Sequence, residues 1–105
     1  MAWLYLFSAG ILEIVWAFTM KQSDGFTRPM PTAITIVTMI GSFALLSLAM
    51  RSLPLGTAYT IWTGIGAVGA FLVGVTVLGE ALTPMRIAAA TLIVSGLVMM
   101  KLSAS

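Results

Sequence analysis

Cysteine and histidine are both absent from this 105-residue chain. That excludes disulfides, thiol nucleophiles, imidazole acid–base work and zinc sites of the usual ligand type. Charge is scarce too, with five Lys/Arg and three Asp/Glu making up 8% of the residues. A soluble domain carries roughly three times that share. A net charge of +2 resting on so few groups gives no basic footprint, so no nucleic-acid partner is expected. The first segment has no basic leader and no small-residue cleavage pattern after it, so no signal peptide is expected. What remains is 60% hydrophobic, the composition of an integral membrane protein. A single domain over 1–105 is expected, with no room for a soluble one. A lone intramembrane carboxylate supplies no nucleophile–base set, so neither an enzyme nor a cofactor or metal is expected.

Four apolar segments are legible, at about Trp3–Met20, Thr32–Met50, Thr57–Leu78 and Met85–Met100. The last is short for a span, though Pro84 and Leu102 can extend it. The first break, Lys21 to Pro31, carries three charges, an Asp-Gly turn and two prolines. The second is Arg51 to Gly56 and the third Gly79 to Pro84. Thr83 is placed to cap the fourth helix, with Pro84 at its first position. Backbone groups in lipid must be satisfied within the segment, so the spans are helices. Trp3, Tyr5 and Phe26 suit the membrane–water interfaces.

Orientation is nearly undetermined by charge. With a cytoplasmic N-terminus, Arg51 and Lys101 lie inside while Lys21, Arg28 and Arg86 lie outside. The positive-inside rule hardly chooses between the two insertions. One reading is a fixed topology set by other features. The other is insertion both ways, with an antiparallel homodimer supplying the inverted half that transporter folds pair around a midplane site.

The most informative residue is Glu13. At ~1.5 Å per residue it lies ~15 Å from Trp3 and ~12 Å from Lys21, close to the midplane of a ~30 Å hydrocarbon core. A carboxylate there costs roughly 3 kcal/mol on insertion scales. It must face a bundle interior or a wet cavity, either as a cation and proton site or as protonated glue between helices. Leu6, Ala9, Gly10, Trp16, Ala17 and Met20 share its helical face. Trp16 is too deep for an interface anchor: its ring either packs on protein or lines a cation site. In the third segment Tyr59 and Trp62 share a face with Gly66. Gly66, Ala70 and Gly74 form a small-residue ladder suited to close packing. Gly64, Gly66 and Gly69 are candidates for packing or for a hinge. Ser42 is a mid-span hydroxyl that often bonds only its own helix. Two Glu13 carboxyls facing each other would titrate as a coupled pair, for which protons and a cation would compete.

The strings Gly10-Ile11-Leu12-Glu13-Ile14-Val15-Trp16-Ala17, Gly25-Phe26-Thr27-Arg28 and Leu53 to Gly69 resemble the small multidrug resistance family. The likeness runs over essentially the full length, and it is strongest to the guanidinium-exporter (Gdx) subtype. The resemblance implies an all-α integral membrane fold with four transmembrane helices per chain, in an antiparallel, dual-topology homodimer of the cell (inner) membrane. It implies proton-coupled antiport of guanidinium at Glu13 of both subunits, with Trp16, Ser42, Tyr59 and Trp62 lining or supporting the site. Gly10 also follows the Gdx pattern, and Trp16 is the position where the quaternary-ammonium subtype carries a small residue. Helix 4 is the family's main dimer contact, and here it offers Thr91, Ser95 and Gly96. Either the Ser42 hydroxyl or the Trp16 indole is expected to donate to Glu13. The alternatives are export of quaternary ammonium ions and a non-transport structural role.

Overall fold

Helix α1 runs Ala2–Gln22, α2 Pro29–Ala49, α3 Leu55–Thr76 and α4 Pro84–Ser103 in the computed structural model, which describes residues 1–103. Each helix is 20 to 22 residues long and apolar enough to cross a bilayer, since 20 residues rise about 30 Å. Among the described residues there is no strand.

The helix ends correct the sequence expectation by a few residues. Helix α2 starts earlier, at Pro29, because proline is tolerated in the first turn, where its missing N–H is not needed, while α4 starts at Pro84 as the Thr83-Pro84 pair indicated. The expected cap is in place, with the Arg86 N–H donating to the Thr83 hydroxyl at 3.2 Å. Helix α3 ends at Thr76, short of Leu78. Gly79 takes φ +69°, and the turned chain lets the Glu80 N–H donate to the Gly74 carbonyl at 2.9 Å.

The α1–α2 turn is built on Ser23, which is fully buried. Its hydroxyl donates to the Met20 carbonyl at 2.6 Å and accepts the Phe26 N–H at 3.1 Å. Its carbonyl accepts the N–H groups of Thr27 and Arg28 at 2.9 and 3.1 Å. These bonds hold Asp24, Gly25 and Phe26 at φ of 51°, 72° and 66°. Only the middle residue of the three takes that conformation without steric cost.

Helix α1 is the centre of the fold and packs on both α2 and α3, and α4 packs on α3. The apolar core consists of Leu6 and Ala9 of α1, Leu46 and Ala49 of α2, and Ala58, Ile61 and Trp62 of α3. All of these lie in the half of the span nearest the N-terminus and the α2–α3 turn. The buried side chains of the opposite half are hydroxyls. Thr35 of α2 donates to Thr19 of α1 at 2.7 Å or to its own Pro31 carbonyl at 2.8 Å. The body is flat, 42 × 35 × 16 Å, and none of the described α4 residues is buried.

Glycines set the helix spacings. A Cβ at Gly10 would stand 2.7 Å from the Ile65 Cγ2 and 2.9 Å from its Cβ, Gly64 lies against Leu97 of α4, and Gly69 lies against Ile14 of α1. Gly10→Ala is expected to force α1 off α3 and to destabilise the protein by about 1–3 kcal/mol. Gly56→Ala, where a Cβ meets nothing within 4 Å, is expected to be neutral or slightly stabilising. Denaturant titration of the two purified variants checks the contrast.

Candidate functional site

Glu13 projects from α1 onto α3, where its carboxyl rests on Gly66. A Cβ at Gly66 would occupy the space of that carboxyl, so glycine is what admits the acid between the two helices. Glu13 Oε1 is buried and has no hydrogen-bond partner. A buried polar atom left without a partner is uncommon in a native fold, which marks this oxygen as a candidate site.

One turn before Glu13, the Ala9 carbonyl accepts the Ser42 hydroxyl at 2.7 Å. Ser42 in turn accepts the Trp62 indole N–H at 3.0 Å. This chain crosses from α1 through α2 to α3, and both Ser42 and Trp62 are buried. Trp62 lies one helical turn from Gly66, on the same face of α3.

An aromatic wall continues from there. The rings of Tyr59 and Trp62 are 5.7 Å apart, those of Trp62 and Phe43 5.8 Å, and those of Phe43 and Trp16 6.3 Å. The two contacts of Phe43 are edge-on, the favoured aromatic geometry. Tyr59 is the most open of the four, 53% exposed. The Trp16 indole N–H is buried without a partner. The site thus presents a free carboxylate oxygen, a free indole donor and aromatic faces within one small region.

The structure brings together Glu13, Trp16, Ser42, Tyr59 and Trp62 as the sequence suggested, but two expectations are corrected. Ser42 does not donate to Glu13, because its single proton goes to the Ala9 carbonyl. Trp16 does not donate to Glu13 either. Three residues further along α1, its ring turns toward Phe43 on α2 while the carboxyl turns toward α3. Gly10 lies against Ile65 and sets the α1–α3 approach one turn before Glu13. Gly64, Gly66 and Gly69 serve three different contacts, with Leu97, Glu13 and Ile14, and α3 runs unbroken through them. Phe43 was missed by sequence reasoning. Its signal was that it is the one aromatic of α2, beside the mid-span Ser42.

A family profile described as Small Multidrug Resistance protein matches residues 1–93. Proteins named guanidinium exporter from Escherichia coli (strain K12), Citrobacter freundii and Salmonella typhimurium are each 54% identical over 103 residues, covering 98% of both chains. With four spanning helices, the chain is a multi-pass protein of the bacterial inner membrane, and it belongs to the small multidrug resistance family of four-helix membrane transporters.

Proposed function

We propose that this chain is a proton-coupled antiporter that exports guanidinium, working as an antiparallel homodimer with one Glu13 from each subunit. The observation that carries the reading is the buried, unpartnered Glu13 oxygen resting on Gly66. Relatives named for guanidinium export over the whole length support the substrate.

The chemistry of the site suits that ion. Guanidinium is planar, permanently charged at physiological pH, and carries a donor fork that matches carboxylate oxygens. Its flat face stacks on aromatic rings, which Tyr59, Trp62, Phe43 and Trp16 offer in sequence. The Ser42–Trp62 bond keeps one wall rigid, so the indole need not be ordered at the moment of binding.

Coupling follows from competition. A pair of carboxylates near the midplane holds either protons or the cation. The unloaded, doubly charged pair is costly to move through a low-dielectric region, so only loaded states exchange between the two faces. A second copy supplies the opposing carboxylate and closes the open side of a body only 16 Å thick. The near balance of Lys/Arg between the two sides supports insertion in both orientations.

Three outcomes test this reading. In proteoliposomes, a guanidinium gradient is expected to drive proton movement that falls to the protein-free background in Glu13→Gln. Coupled flux in that variant overturns the mechanism. If a quaternary ammonium ion drives protons and guanidinium does not, the substrate assignment fails while the antiport stands. Guanidinium binding, followed by tryptophan fluorescence, is expected to weaken as pH falls through the titration range of the carboxyl pair, and a pH-independent affinity overturns the competition. Ser42→Ala strands the Trp62 indole N–H and is expected to cost about 1–2 kcal/mol of stability. It is also expected to slow guanidinium flux severalfold while leaving proton coupling intact, as measured in the same flux assay.

A further inference from the structure

On the face of α1 away from Glu13, a narrow cleft of about 190 Å³ opens between α1, α3 and α4. Trp3 and Phe7, one turn apart on α1, form one wall, and Val98 of α4 forms the other. Ile61 and Ile65 of α3 form the floor. The lining is apolar except at one end. There Lys101 of α4 reaches across the mouth and places its Nζ 4.8 Å from the centre of the Trp3 ring.

The position of this cation matters more than its presence. Lys101 lies in the last turn of α4 and Trp3 in the first turn of α1, so both stand at the same membrane–water interface. The cleft runs from that level to Ile65, ten residues or roughly 15 Å along α3 and near the middle of the span. It therefore offers apolar surface at acyl depth and a positive charge at headgroup depth. The cation–π contact uses only part of the ammonium, leaving donors that face the headgroup layer. A neutral lipid complements the apolar half alone, whereas a phospholipid with net negative charge complements both halves.

We propose that this cleft is a binding site for an anionic phospholipid, with one acyl chain along Phe7, Ile61 and Ile65 and its phosphate on Lys101 beside Trp3. The site is separate from Glu13 and does not depend on the transport reading. Each basic group near the surface favours anionic over neutral lipid by about fivefold, and a built cleft keeps that preference in one place.

The test uses the full-length protein in phosphatidylcholine vesicles doped with lipid brominated on its acyl chains, which quenches nearby tryptophan. The Trp3 contribution is the difference between the wild type and Trp3→Phe. Brominated phosphatidylglycerol is expected to quench the Trp3 signal with about fivefold higher apparent affinity than an equal fraction of brominated phosphatidylcholine. Lys101→Gln is expected to make the two lipids equivalent. Val98→Phe, which fills the cleft and retains the lysine, is expected to weaken quenching by both. Equal quenching by the two lipids in the wild type overturns the proposal, as does a preference that survives Lys101→Gln. Trp3 quenched by neither lipid also overturns it, because the cleft is then covered by protein.

Discussion

The Ser42 hydroxyl has one proton and two lone pairs, and three helices meet on them. Its proton goes to the Ala9 carbonyl of α1 and a lone pair takes the Trp62 indole of α3. In water such bonds trade against solvent for little net gain. In a bilayer no solvent is at hand, and an orphaned polar group is costly. The rotation of α1 about its axis follows from this node. With Ala9 turned to Ser42, Glu13 one turn later comes to rest on Gly66 of α3. The fixed indole and the position of the carboxylate are two results of one hydroxyl.

The four spans, their order and their breaks were legible because hydropathy and proline–glycine punctuation are local properties. The helix ends were less so: Pro29, which read as part of the break, belongs to the first turn of α2. The candidate site residues stood out by depth, since a carboxylate, two tryptophans and a hydroxyl well inside the spans call for a polar interior. The hydrogen-bond partners were not. Whether Ser42 bonds Glu13, its own helix or Ala9 depends on how α1 and α2 are rotated against each other, which no single-helix pattern encodes. The same limit hid Phe43, whose importance comes from standing between Trp16 and Trp62 on two other helices.

Small residues here are specific rather than generic. Gly10, Gly64, Gly66 and Gly69 each leave room for one identifiable neighbour, namely Ile65, Leu97, the Glu13 carboxyl and Ile14. Three of these set a distance between helices, and the fourth admits a functional group. A ladder read from sequence alone treats all such positions as equivalent packing sites.

The uneven distribution of the core carries a mechanical meaning. Every buried apolar side chain of Leu6, Ala9, Leu46, Ala49, Ala58, Ile61 and Trp62 lies toward the end of the bundle that holds the N-terminus. The other end is joined by the Thr19–Thr35 hydroxyl contact and a hydrogen-bonded turn. One end of the protomer is therefore stiff and the other compliant. Set two copies head to tail, as proposed, and each membrane face receives one stiff end and one compliant end. A protomer with no symmetry of its own then yields a machine whose two sides have matching mechanics, able to yield toward either compartment with equal ease.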